Sequence, residues 1–138
     1  MGVPVLRPPE LFQSCSQGFK SSIHAIQIIH SRSNHWIVAT TLQCDPGEVK
    51  IYNSVYKSLD TETLEVVKRL FGSENKPLTV SMVTGAPRQQ GSTDCGVFAI
   101  AVATCLAFGG DPTKMMLHQT NMRSELLKRF GSKQLTQF

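Results

Sequence analysis

The chain predicts an α+β fold, on three observations: β-patterned segments cluster in its first half, helical patterns cluster in its second, and a 14-residue apolar run sits between two polar stretches. At 138 residues it fits one domain spanning 1–138, with residues 1–18 as an irregular lead-in marked by Pro4, Pro8 and Pro9.

SIHAIQIIH (22–30) and HWIVATTL (35–42) are rich in β-branched residues and partly alternate, with the polar SRSN between them. VKIYN (49–53) follows the turn signal Asp45-Pro46-Gly47, which makes three consecutive strands of an antiparallel meander. Asp60 is placed to cap a helix, Leu59 and Leu64 to staple its entry, and Leu64, Val67, Leu70 and Phe71 to form its apolar face before Gly72. LTVSMV (78–83) reads as a further strand, and TGAPRQQGST as a loop. From Cys95 to Phe108 apolar residues occupy every side, so a helix there must be buried centrally, ending at Gly109-Gly110. Asp111-Pro112 then starts a last helix, with Met115, Met116, Met122, Leu126 and Phe130 as its inner stripe before Gly131.

The bulk composition narrows the function. With 41% apolar and 17% charged residues the chain is a folded soluble protein rather than a disordered tail. Net charge is +4, but lysines and arginines never form a run, so the excess describes a solvated surface and no specific nucleic-acid partner. The apolar stretch 96–108 is too short to span a bilayer, and no basic segment followed by an apolar core opens the chain; no membrane association is expected. Cys15, Cys44, Cys95 and Cys105 contain no Cys-x-x-Cys pair, which argues against a zinc ribbon, and free thiols point to an intracellular setting, nucleus or cytoplasm. His30, His35 and Cys44 lack a fourth zinc ligand at recognisable spacing.

Cys95 lies where the polar loop becomes the buried helix. A sulfur at a helix N-terminus faces unpaired amides and the positive end of the dipole, which favour the nucleophilic anion. Gly96 lets a carbonyl approach, and the Cys95 N–H can face an oxyanion. A base is needed before such a cysteine is more than a small core residue. Of the four histidines, His35 opens a strand directly after a polar loop, and Asn53 ends the next strand, where its amide oxygen can accept the imidazole N–H.

His35-Trp36, Tyr52-Asn53-Ser54, and Gln89 followed by Asp94-Cys95-Gly96 resemble the signature of the ubiquitin-like-protein proteases, the SUMO-deconjugating cysteine proteases related to adenovirus protease. The resemblance implies a papain-like, adenovirus-protease-like fold, mainly an antiparallel sheet packed with a central buried helix and flanking helices. It implies Cys95 as nucleophile, His35 as general base and then acid, Asn53 as orienting residue, and Gln89 as oxyanion donor. Trp36 and Gly96 would line the channel for the modifier's Gly-Gly tail, and Asp94 would shape the loop through a cap or backbone hydrogen bonds. The implied activity is cleavage after the Gly-Gly of a SUMO-like modifier through a thioester, by a monomer whose partners are ubiquitin-like modifiers or their conjugates, with no cofactor or metal. Two departures from the pattern stand out: Asn53 replaces the usual aspartate, and Trp36 is the chain's sole tryptophan. They motivate the alternative, a modifier-binding module with little or no turnover.

Overall fold

The computed structural model describes residues 5–6, 24–72 and 76–138. The expected lead-in lies outside these residues, except that Val5–Leu6 form a short strand, β1. The strands Ile26–Ser31 (β2), His35–Thr40 (β3) and Glu48–Tyr52 (β4) follow, then the helix Thr61–Phe71 (α1) and the strand Thr79–Met82 (β5). The helix Cys95–Ala107 (α2), a single 3-10 turn at Pro112–Lys114, and the helix Gln119–Ser132 (α3) complete the chain. The fold is α+β, as the sequence predicts.

The five strands form one sheet in the order β1-β2-β3-β4-β5. The central meander is antiparallel, with Val38 opposite both Ile28 and Tyr52. Both edge pairings are parallel, β1 to β2 and β4 to β5, so the sheet is mixed rather than a pure meander. β5 can run parallel to β4 because α1 carries the chain back across one face between them.

Strand alternation sends the two faces to two different helices. Ile29, Ile37, Ala39, Val49 and Ile51 meet Val67, Leu70 and Phe71 of α1. Ile26, Val38 and Tyr52 meet Ala99, Val102, Ala103 and Leu106 of α2 on the opposite face. The far side of α2 is closed by Met122 of α3, against Val97, Phe98 and Ala101. Ten of the thirteen α2 residues are therefore buried, which is why its sequence is apolar all round. Burying each large side chain, such as Phe98 or Leu106, contributes about 1.5–3 kcal/mol.

Asp60 caps α1 as expected, its carboxylate accepting the Thr63 N–H at 3.3 Å. α2 ends beside Gly109, whose φ of +80° suits glycine, and Gly110 donates its N–H to the Cys105 carbonyl at 2.9 Å. The last helix differs from expectation. Asp111 and Pro112 start only the 3-10 turn, and α3 begins seven residues later, after His118. Of the expected stripe only Met122 is buried; Met116 and Phe130 are 87% and 67% exposed, and Gly131 does not stop the helix. Among the described residues no helix is long and apolar enough to cross a membrane.

Candidate active site

The β2–β3 hairpin turns through Arg32-Ser33-Asn34, with Arg32 and Ser33 at φ of +51° and +62°. Two non-glycine residues in the left-handed region cost about 1–3 kcal/mol each, so contacts must hold the turn. Arg32 supplies them: its guanidinium lies 4.1 Å from the Tyr56 ring centre, 3.4 Å from the Ser58 carbonyl and 4.0 Å from the Asp60 carboxylate. Asp60 is held below the usual carboxylate range, chiefly by the Thr63 hydroxyl. The turn delivers two groups to one end of the sheet, the Asn34 carbonyl and the His35 ring.

His35 is 4% exposed, whereas His24, His30 and His118 are all exposed. Its Nε2 lies 2.8 Å from the Asn53 Oδ1. Asn53 itself falls just after β4, where the chain turns, and the same Oδ1 accepts the N–H groups of Val55 at 2.9 Å and Tyr56 at 2.8 Å. Two backbone donors on one atom identify it as the amide oxygen rather than the nitrogen. The third neighbour, His35 Nε2, must then be a donor. In the neutral ring this leaves Nδ1 as the free base. Tyr56 closes the ring's flank edge-on, with centroids 5.3 Å apart.

Cys95 is the first residue of α2 and is buried, with Sγ 3.9 Å from the carbonyl of Asn34, the residue preceding His35. Among the described residues the cysteines are free. Asp94 occupies the N-cap position but makes no side-chain cap bond, which corrects the expectation of a cap. Its carboxylate turns instead to α3, accepting from Gln119 Nε2 at 2.9 Å and from Arg123 Nε at 2.8 Å. These bonds, Gln119's first, lower its pKa. The amides that open α2 therefore keep no side-chain acceptor from this residue.

Gln89 is anchored at both ends of its amide. Its Oε1 accepts from the Ser54 hydroxyl, its Nε2 donates to the Gly91 carbonyl at 3.0 Å, and its own N–H donates to the Ser54 carbonyl at 3.0 Å. One Nε2 hydrogen is thereby left over. Trp36 is half-buried, tilted against the His30 ring with centroids 4.7 Å apart. A Cβ at Gly96 would lie 3.6 Å from the Trp36 Cδ1, so the glycine keeps a gap between the indole and the start of α2. Two open clefts flank the loop: one of about 330 Å³ beside Asn53 and Tyr56, the other of about 480 Å³ beside Gln90 and Phe98.

Sequence reasoning missed Ser54, Tyr56 and Arg32 as supports of the site. Ser54 and Tyr56 lie within three residues of Asn53, and that proximity was the available signal. Among the described residues no group of three His, Cys, Asp or Glu side chains is placed to hold a metal ion.

The α+β scaffold thus carries a buried thiol at the start of a helix, an imidazole whose tautomer is fixed by an amide, and a tethered glutamine. Residues 16–133 match the model of the Ulp1 protease family, C-terminal catalytic domain, and the chain belongs to that family. Among solved structures it is similar to "SUMO protease Ulp1 with the catalytic cysteine oxidized to a sulfonic acid", with a TM-score of 0.65 at 9% identity. The match covers 93% of this chain and 62% of that one, so the present chain spans under two thirds of that protease's length. At this identity the likeness speaks for the fold. No curated protein sequence matches the chain.

Proposed function

We propose that the domain is a cysteine peptidase or isopeptidase that cleaves after the C-terminal Gly-Gly of a SUMO-like modifier, through a thioester. The observation that carries this reading is the Asn53 oxygen, which fixes His35 with Nε2 as donor and Nδ1 as base, on the same sheet end that meets the Cys95 sulfur.

In this mechanism the His35 Nδ1 takes the thiol proton and the Cys95 sulfur attacks the carbonyl of the terminal glycine. A C–S bond forms and the carbonyl oxygen becomes an oxyanion. The Cys95 N–H and the spare Gln89 Nε2 hydrogen are the donors proposed to receive it. Collapse breaks the C–N bond, and His35 gives its proton to the departing amine. Water then attacks the thioester, again losing its proton to Nδ1; collapse breaks the C–S bond, the Cys95 sulfur regains the proton from His35, and the released modifier carries a free carboxylate. Trp36 and Gly96 would border the Gly-Gly tail, the glycine adding no side chain beside the indole, where a Cβ would lie 3.6 Å from the Trp36 Cδ1. The intact His35–Asn53 hydrogen bond favours turnover over a binding-only module.

Ubiquitin-like modifiers carrying a C-terminal electrophile test this directly. At least one should label Cys95 covalently, and Cys95→Ser should remain unlabelled. Failure of every such modifier to form an adduct rejects the reading.

A further inference from the structure

The first turns of α3 grip the segment that separates Gln89 from Cys95. Gln119 reads the Gln90 backbone on both sides: its Oε1 accepts the Gln90 N–H at 2.8 Å and its Nε2 donates to the Gln90 carbonyl at 2.7 Å. The same Nε2 reaches the Asp94 carboxylate at 2.9 Å. One helical turn on, Arg123 forks over the end of the segment, with Nη2 2.6 Å from the Thr93 carbonyl and Nε 2.8 Å from Asp94 Oδ1. Residues 90–94 have no helix or strand of their own and include Gly91 at φ +78°, so these bonds, together with the one from Gln89 Nε2 to the Gly91 carbonyl, tie them to the scaffold. α3 is itself seated on α2 by buried Met122, between the two gripping residues. An aspartate at the N-cap ordinarily turns its carboxylate onto the helix amides. Here Gln119 and Arg123 draw that carboxylate outward.

We infer that Gln119 and Arg123 are positioning residues for the reaction: they fix the Gln90–Asp94 segment and hold the Asp94 carboxylate off the α2 amides, so that those amides and Gln89 stay free for the oxyanion. Neither side chain touches the sulfur or the imidazole in any described contact, and both act through the loop. The inference rests on the proposed cysteine-protease reading, and it also makes a claim about the loop that stands apart from turnover.

The test uses Gln119→Ala, Arg123→Ala and Arg123→Lys in the full chain. Fluorogenic hydrolysis at the C-terminus of a reactive modifier should show kcat lowered about tenfold by each alanine with KM within about twofold, because the lost bonds orient rather than bind. Lysine keeps the charge but not the fork, so it should recover only part of the loss. Alkylation of Cys95 by a small haloacetamide, followed on its own peptide, needs no oxyanion donor and should fall by less than about threefold, the share of thiolate stabilisation that the α2 amides lose when Asp94 turns onto them. Hydrogen exchange at the Gln90 amide should accelerate in Gln119→Ala while protection within α2 persists, which also certifies that the variant is folded. An unchanged kcat in both alanine variants, or a loss of alkylation in step with kcat, overturns the assignment. Should the wild-type chain process no modifier, the protease reading falls on that result alone. Gln90 exchange then still decides the grip: acceleration supports it, and an unchanged rate overturns it.

Discussion

Replacing Asn53 by aspartate tests the core of the site, because it changes charge and almost nothing else. The Asn53 oxygen sits 2.8 Å from His35 Nε2 and accepts two backbone N–H groups at 2.9 and 2.8 Å. A carboxylate in that position is already solvated by three donors, so burial at 4% exposure does not force it to protonate. Of the three bonds only the one to His35 alters during the reaction, when the ring gains a proton. A hydrogen bond to a charged partner contributes about 1.5–3 kcal/mol against about 0.5–1.5 for a neutral pair. The difference of about 1 kcal/mol, at about 1.4 kcal/mol per decade, predicts that Asn53→Asp raises kcat/KM about fivefold. Asn53→Ala should do the reverse. It orphans the ring N–H and two amides, frees the imidazole to rotate, and should lower kcat/KM by about a hundredfold and stability by about 2–4 kcal/mol. Steady-state hydrolysis of a modifier amide, with thermal unfolding beside it, reads both. An aspartate variant slower than wild type, or an alanine variant equal to it, would refute the claim that Asn53 governs the ring.

Other substitutions probe the supports. Ser54→Ala removes the hydroxyl that holds the Gln89 amide oxygen and should reduce kcat about tenfold at nearly constant KM; a pure KM effect would place Gln89 in binding instead. A Cβ at Gly110 would stand 2.8 Å from the Cys105 sulfur and 3.3 Å from the Cys105 carbonyl, so Gly110→Ala should cost about 1–3 kcal/mol by denaturant titration, and less in a Cys105→Ala background. Additive losses would show that the sulfur is not the obstacle. The Asp60 carboxylate has its folded-state pKa lowered, so its contribution is present above the unfolded value of about 3.9 and is lost as pH falls through the lower folded value. Asn caps a helix about as well as Asp but does not titrate, so Asp60→Asn should leave stability at pH 7 nearly unchanged and flatten the loss below about pH 4. An acid limb as steep as wild type would assign the titration elsewhere.

What the sequence reveals divides by the range of the force involved. The α1 cap, the burial of α2 and the central meander follow from local chemistry: a carboxylate ahead of a helix, apolar residues on every face, and β-branched alternation. The parallel edges do not, because pairing of β1 with β2 and of β4 with β5 carries no local mark. Asp111-Pro112 is a sound start signal that yields one 3-10 turn, since Met115 turns inward to the sheet-side core while Met116 points to solvent and no helical face can form across them. At the site, His35 and Asn53 were visible as strand-end polar residues on neighbouring strands. The turn that aims His35 was not, because its left-handed positions hold Arg32 and Ser33 rather than glycine or asparagine. Gln119 and Arg123 carry no local mark of their bonds to the loop, for their partners lie 25 to 30 residues away.

The same architecture explains why a departure at residue 53 need not dismantle the rest of the candidate site. His35 and Asn53 are carried by the sheet, through the β3–β4 pairing and the turn after β4, whereas Cys95 is carried by α2 and Gln89 by the loop pinned to Ser54. They share a framework in the apolar layer that includes Val38, Tyr52, Ala99 and Val102, which fixes helix against sheet. A change of functional group at residue 53 that preserves its acceptor oxygen leaves that layer untouched, and so alters the charge opposite the ring without moving the sulfur. Val102→Ala acts the other way: it keeps every polar group and loosens the layer, at a cost of about 1–3 kcal/mol. If the site works as a positioned pair, this core change should lower kcat beyond what the unfolded fraction explains, measured at a temperature where both proteins are fully folded. A rate in proportion to the folded population alone would show that helix and sheet hold their relative placement without it.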